Sequence, residues 1–145
     1  MLKKIHHSEI TVKNLDKSIA FYTEKLGLKL SHISSEKVDI PAGEDIAGLN
    51  GAESKEAFLK IGNRCLELIE WTNREGKVLK AIPWNIGQMH IAFEVTDIDK
   101  KYKALKEEGV EFLVPPIHVK TEEAEVIWCY LKDPDGALLE LVEMR

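Results

Sequence analysis

The sequence lacks several features that mark large classes of proteins. Nowhere do about 18 apolar residues follow one another, so no transmembrane helix is predicted. The opening stretch MLKKIHH lacks the apolar run of a secretory signal peptide. Basic residues are not in excess either, because 20 Lys and Arg face 25 Asp and Glu and give a net charge of −5. We therefore expect a cytoplasmic protein that binds neither membranes nor nucleic acid.

Cysteine is scarce as well. Cys65 and Cys129 lie far apart and form no CxxC pair, so we predict two reduced thiols in the core rather than a disulfide framework. The 145 residues, 44% of them apolar and 31% charged, are enough for one globular domain with a proper core.

What the sequence does contain is an internal repeat. The segment HSEITVKNLDKSIAFYTEKLG, from His7, aligns with HIAFEVTDIDKKYKALKEEG, from His90, and RCLELIEW at 64–71 aligns with ALLELVEM at 137–144. Each copy begins with a strand that carries a His and ends with a strand that carries a Glu. We predict a single domain of two modules, the first at about 1–72 and the second at 89–145, joined by a connection at 73–88.

Within each module the pattern predicts a strand, a helix and three strands. Apolar residues recur at helical spacing before Gly27 and before Gly109, and a glycine suits the end of a helix, where φ is positive. The irregular stretch 39–56 is predicted to be a long loop. The remaining strands are predicted around 28–33, 57–61, 64–71, 110–114, 126–131 and 137–144. The fold class is therefore α+β, with two βαβββ modules.

Side chains of a strand alternate between its two faces. On this basis His7, Glu67, His90 and Glu140 all point away from the apolar faces that the helices cover. If the two sheets curve toward one another, they form a mixed-sheet cup with the helices outside and these four side chains at its base.

Two imidazoles and two carboxylates are suitable ligands for one divalent ion of zinc, nickel, cobalt, manganese or iron. A bound metal would also offset the cost of burying Glu67 in a strand interior. Cys65 lies on the same face, but the second copy has Leu138 there, which favours a small apolar filler. The remaining histidines, His6, His32 and His118, are taken as ordinary core or surface residues, and Glu70 and Glu143 as solvated.

The two motifs HHSEITVKNLDKSIAFYTEKLGLKL and YLKDPDGALLELVE resemble the vicinal oxygen chelate superfamily, and the resemblance covers nearly the whole chain. That superfamily includes glyoxalase I, methylmalonyl-CoA epimerase, extradiol dioxygenases and fosfomycin-resistance enzymes. The resemblance implies the glyoxalase/bleomycin resistance/dioxygenase fold, a small-molecule substrate and a homodimer.

By position, the metal ligands of the superfamily correspond to His7, Glu67, His90 and Glu140. Nickel, cobalt or zinc is the metal that the resemblance implies first, with manganese or iron as alternatives. The residues around them on the same face are candidates for the substrate pocket: Thr11, Glu9, Ile69, Trp71, Ala92 and Glu94. Thr11 and Trp71 replace an Arg and an Asn common in bacterial glyoxalase I, which puts glutathione in doubt as the thiol.

The activity implied first is that of a metal-dependent lyase or isomerase of the glyoxalase I type. It would act through an enediolate on a 2-oxoaldehyde–thiol adduct or a similar α-hydroxycarbonyl, with Glu140 as the base and Glu67 as ligand or second base. A CoA-thioester epimerase needs the same parts. An extradiol dioxygenase is less favoured, because those enzymes have no ligand at the Glu67 position, and a non-catalytic binding protein is a further alternative.

Overall fold

The structure, a computed structural model, describes residues 1–41 and 43–145. These residues divide into two compact units, Met1–Lys77 and Val78–Arg145. Each unit contains one of the two modules. That the two modules form a single domain stays a prediction.

Module one contains a four-stranded mixed sheet with strand order β1-β4-β3-β2. The first and last strands, β1 and β4, pair in parallel, and the other neighbours are antiparallel. Helix α1 continues into a π-helical turn at Phe21–Lys25. The elements are β1 Ser8–Thr11, α1 Leu15–Ala20, β2 Lys29–Lys37, β3 Glu53–Ile61 and β4 Arg64–Trp71.

Module two repeats this arrangement with strand order β5-β8-β7-β6, and its first and last strands are again parallel. The repetition confirms the predicted α+β class with two βαβββ modules. The elements are β5 Ile91–Glu94, α2 Ile98–Glu107, β6 Ile117–Lys120, β7 Glu125–Lys132 and β8 Leu138–Met144. No helix in the described part of the chain is long and apolar enough to cross a membrane.

The core of each module lies on the apolar face of its sheet. In module one Ala57, Leu59, Leu66 and Leu68 are at most 3% exposed. Ile127, Cys129, Leu131, Leu139 and Leu141 are the equivalent buried residues of module two. Both cysteines are free thiols, as predicted, although Cys65 is only half-buried.

The helices begin and end where the sequence predicts. The side chain of Asn14 accepts a hydrogen bond from the Lys17 N–H at 2.8 Å and caps α1. The chain leaves the helical region of each module through a glycine with positive φ, +80° at Gly27 and +83° at Gly109.

A carboxylate from the last strand of each module also binds the start of its helix. The Leu15 N–H donates to Glu70 Oε2 at 2.7 Å, and the Ile98 N–H donates to Glu143 Oε2 at 2.8 Å. The hydrogen bond from Arg145, followed by that from the Ile98 N–H, lowers the pKa of Glu143 to about 2. The interpretation of Glu70 and Glu143 as simply solvated was therefore wrong.

Some predicted boundaries were also wrong. The stretch 110–114 forms only an isolated bridge between Phe112 and Leu131. The strand predicted there, β6, begins instead at Ile117. Pro115 and Pro116 lie between them, and proline has no N–H to donate to a sheet. The predicted loop 39–56 is shorter, because β3 already begins at Glu53.

Candidate metal centre

Each sheet has a site face, which we define as the face that carries Glu67 in module one and Glu140 in module two. Residues paired across neighbouring strands share a face. By register, the site face of module one comprises Glu9, Thr11, Lys29, His32, Ser34, Glu36, Ser54, Glu56, Phe58, Lys60, Cys65, Glu67, Ile69 and Trp71. The site face of module two comprises Ala92, Glu94, Ile117, Val119, Val126, Trp128, Tyr130, Lys132, Leu138, Glu140, Val142 and Met144.

In module one the predicted His and Glu meet. His7, which lies one residue before β1, brings Nε2 to 3.3 Å from Glu67 Oε2. Glu9 joins them, since one ligand atom from each of His7, Glu9 and Glu67 lies within 4.8 Å of the others. The sequence predicted Glu9 only as a pocket residue, and the structure places it close enough to take part in metal binding.

The environment of Glu67 is unfavourable for a lone carboxylate. Glu67 is only 7% exposed, and this burial raises its pKa, while the nearby His7 lowers it. The negative charges of Glu56, Glu9 and Glu36 raise the pKa further. A buried carboxylate among other carboxylates is stabilised by a cation. The donor set of module one therefore fits a divalent metal.

In module two the predicted His and Glu also meet. His90, one residue before β5, brings Nε2 to 2.8 Å from Glu140 Oε2. Tyr130 is the cross-strand partner of Glu140, and its ring packs edge-on against His90 with centroids 5.4 Å apart. Burial and the charge of Glu140 raise the pKa of Tyr130. The ring of Tyr130 therefore packs beside the His90–Glu140 pair.

The other predicted pocket residues lie on the site faces of their own modules. In module one Thr11 is exposed and pairs with Ile69, which is buried, while Trp71 is half-buried at the end of β4. In module two Ala92 and Glu94 are both exposed on β5. The structure brings Glu9 to His7 and Glu67, and it places Thr11, Ile69 and Trp71 on the site face of module one and Ala92 and Glu94 on that of module two.

The sequence did not identify two residues on these faces, Glu56 and Tyr130. Glu56 was missed because it fell at the end of the predicted loop, although the alternation of Ser54, Glu56 and Phe58 is a signal of a strand. Tyr130 was missed because no faces were assigned to its predicted strand, although every second residue of a strand faces away from the core.

Comparison with protein families and with known proteins agrees with this geometry. Residues 4–141 match the model of the Glyoxalase/Bleomycin resistance protein/Dioxygenase superfamily. A mitochondrial methylmalonyl-CoA epimerase from Homo sapiens is 28% identical over 143 residues, which are 97% of this chain and 73% of that protein. A probable lactoylglutathione lyase from Vibrio parahaemolyticus is 30% identical over 143 residues, which are 98% of this chain and 91% of that protein.

Solved structures have the same fold. A glyoxalase family protein from Bacillus cereus superimposes with a TM-score of 0.78 at 24% identity, over 99% of this chain and 95% of that one. A fosfomycin resistance protein from Listeria monocytogenes, solved with Mn(II) and sulfate, superimposes with a TM-score of 0.64 at 26% identity, over 99% of this chain and 93% of that one.

Proposed function

We propose that this chain, which belongs to the Glyoxalase/Bleomycin resistance protein/Dioxygenase superfamily, is a divalent-metal-dependent lyase or isomerase of the glyoxalase I type. One observation carries the proposal. Both modules hold a His–Glu pair in hydrogen-bond or ion-pair contact, and in each module the His precedes the first strand and the Glu lies on the last. Surface polar residues have no reason to repeat in this way.

In the proposed enzyme His7, Glu67, His90 and Glu140 hold one divalent ion. Two nitrogen and two carboxylate ligands suit nickel, cobalt or zinc, and they also admit manganese or iron. When bound, the metal supplies Lewis acidity toward two adjacent oxygens of the substrate. The buried Glu67 and the acidic residues around it support the assignment, because they carry negative charge that a cation offsets.

The proton transfers are assigned to the carboxylates of the chain. Glu140 takes a proton from the carbon that bears the substrate hydroxyl and returns it to the neighbouring carbonyl carbon, while the hydroxyl proton passes to the former carbonyl oxygen, so the product is an isomer of the substrate. The contact between His90 Nε2 and Glu140 Oε2 at 2.8 Å and the cross-strand neighbour Tyr130 orient Glu140 for this role. A general base must lie within hydrogen-bond reach of the proton that it removes.

Epimerisation is the second candidate function, and the similarity to methylmalonyl-CoA epimerase favours it. In that reaction one carboxylate removes a proton and a second returns one to the opposite side of the same carbon. Glu67 is the second carboxylate in this case. Glu67→Gln is then expected to abolish exchange at the second face while Glu140→Gln abolishes it at the first.

We further propose that the protein is a homodimer. Large apolar side chains are unusually exposed in the segment before His90: Val78, Leu79, Trp84, Ile86 and Met89 are each at least 72% exposed. Contiguous exposed apolar residues mark interaction surfaces, and a second copy of this chain is the proposed occupant. Sedimentation equilibrium is expected to give twice the chain mass, and Trp84→Glu is expected to shift the equilibrium toward the monomer.

The decisive experiment measures isomerase activity on protein reconstituted with nickel, cobalt or zinc, with methylglyoxal and a panel of thiols. Glu140→Gln is expected to lower turnover by about 10²- to 10⁴-fold, because it removes the general base. Glu143→Gln is the matched control, since it lies on the same strand but binds the helix rather than the site. Metal-loaded protein without turnover on any thiol would contradict the glyoxalase proposal and favour epimerase substrates.

A further inference from the structure

Glu56 is the most deeply buried carboxylate of the site face in module one, at 6% exposure. It lies in the middle of β3, where its cross-strand partners are Ser34 and Ile69. Ser54 Oγ donates a hydrogen bond to Glu56 Oε1 at 2.8 Å, and Ser34 Oγ donates one to Oε2 at 3.0 Å. The two hydroxyls hold the carboxylate in a fixed orientation on the face that carries Glu67.

The charge of Glu56 is not compensated. Among the described residues no Lys, Arg or His forms an ion pair with it, and its two hydrogen-bond donors are neutral hydroxyls. Glu53, on the opposite face of the same strand, contrasts with it, since it pairs with Lys37 at 3.5 Å. A buried carboxylate without a cation is costly to maintain, so a structural role alone gives no reason for the charge.

The charges around Glu56 are mostly of the same sign. The site face of module one carries four carboxylates, Glu9, Glu36, Glu56 and Glu67, and a divalent metal would leave two of these charges unbalanced. The lysines of this face, Lys29 and Lys60, pair with each other on the far side of Phe58, the cross-strand partner of Glu67. Lys60 is four residues from Glu56 along β3, which corresponds to roughly 13 Å.

We propose that Glu56 is a specificity-determining residue that receives a cationic group of the substrate, such as a primary ammonium. The inference rests on the proposed function, and it narrows the substrate to an α-hydroxycarbonyl or thiol adduct that carries an amine. Such a group would donate to the free lone pairs of the Glu56 carboxylate while the adjacent oxygens of the substrate reach the metal centre. A substrate arm that carries a carboxylate would be repelled from the same place.

The proposed role of Glu56 is tested by the binding of matched hydroxamates to nickel-loaded protein. A hydroxamate presents two adjacent oxygens to a metal. The probes are 4-aminobutanohydroxamate, pentanohydroxamate and glutaric monohydroxamate, which have one chain length and end in a cation, a methyl group and an anion. Calorimetry is expected to show the cationic probe binding about tenfold more tightly than the neutral one, as for a charge-assisted hydrogen bond. The anionic probe is expected to bind most weakly.

Glu56→Gln keeps the shape but removes the charge, and its amide oxygen accepts from one serine hydroxyl while its NH2 group donates to the other. It is expected to weaken binding of the cationic probe by about tenfold and to change binding of the neutral probe by less than about twofold. Glu53→Gln is the control, because it removes one charge from the opposite face of the same strand and is expected to keep the order of the three probes.

Equal binding of the three probes to the unaltered protein, or an unchanged cation preference in Glu56→Gln, would overturn the role of Glu56 and leave the metal centre standing. Failure of the protein to bind nickel would overturn the metal centre, and the inference with it. If Glu56→Gln does not fold, as judged by its thermal transition, the probe series on the unaltered protein decides alone.

Discussion

The two modules share a frame but differ on the faces that carry their His–Glu pairs. In module one that face is acidic and hydroxylated, with Glu56 held by Ser34 and Ser54. In module two it is aromatic and aliphatic, with the rings of Trp128 and Tyr130 packed at 5.1 Å. The opposite faces are alike, since both bury leucines and both bind their helix through a Glu of the last strand.

This difference separates what the fold requires from what the activity requires. The helix-facing residues repeat because each module must bury the same helix on the same sheet. The site faces repeat only in the His–Glu pair and have otherwise diverged, which is expected if one face contacts a polar part of a small molecule and the other an apolar part. The following predictions test the two halves of this comparison, beginning with the largest effect.

Removal of a core leucine is expected to cost the same in either module. Leu68 and Leu141 occupy matching positions at 0% and 1% exposure, so Leu68→Ala and Leu141→Ala should each lower the free energy of unfolding by about 2–5 kcal/mol. Urea denaturation measures both values. Ile33→Ala, at 53% exposure, is the control and should cost less than about 1 kcal/mol. A loss of unfolding free energy smaller than that of Ile33→Ala in one module would show that the cores of the two modules are not equivalent.

Each His–Glu pair is expected to contribute to the same metal ion. Loss of an outer partner of a metal ligand weakens binding by about 10- to 100-fold, so His7→Ala and His90→Ala should each weaken nickel binding by more than about 100-fold. Competition with a chelating dye gives the affinities. His118→Ala, whose ring contacts Glu125 at 3.2 Å, should bind nickel as the unaltered protein does. Full metal content in His90→Ala by native mass spectrometry would disprove the four-ligand centre.

The bond between Glu70 and the start of α1 is expected to stabilise module one. Glu70→Ala leaves the Leu15 N–H without its acceptor and should lower the free energy of unfolding by about 1 kcal/mol, as loss of a helix cap does. Urea denaturation again provides the measurement. Glu75→Ala, at an exposed position after β4, should have no comparable effect, and equal costs for the two variants would contradict the capping role.

The equivalent carboxylate in module two, Glu143, accepts hydrogen bonds from Arg145 and from the start of α2 and should make stability depend on pH. The pKa of Glu143 is lowered from 4.5 to about 2 in the folded protein, so its stabilising effect is complete above pH 4.5 and is lost as the pH falls through about 2. Glu143→Gln should therefore be less stable than the unaltered protein at neutral pH, with a difference that shrinks across this interval. Urea midpoints at several pH values give the comparison. Glu107→Gln, an exposed change on α2, should show no such trend.

Local sequence patterns were sufficient to predict the βαβββ arrangement of each module. The strand at 64–71 was predicted residue by residue, because its apolar alternation and the turn before it are both local signals. The His–Glu pairs were predicted as residues of interest because the repeat placed the same residue types at the same positions in both modules.

The rest depended on contacts between distant parts of the chain. Glu70 and Glu143 bind helix starts that lie 55 and 45 residues away, and nothing beside them in the sequence indicates a partner. The role of Glu56 was hidden for the same reason, since its contact with Ser34 spans 22 residues and crosses the stretch that was predicted to be a loop.

The parallel pairing of first and last strands has a consequence for the order of folding. β1 and β4, like β5 and β8, are the most distant elements of their modules along the chain, and they must close the longest loop before they pair. His7 and Glu67 therefore become neighbours only when module one is complete, as His90 and Glu140 do in module two. On the proposed function, a nascent or partly folded chain cannot capture a metal with the geometry of the finished site. Metal uptake would then serve as a readout of completed folding, and it should lag behind the formation of the β2–β3 and β6–β7 hairpins in a refolding experiment.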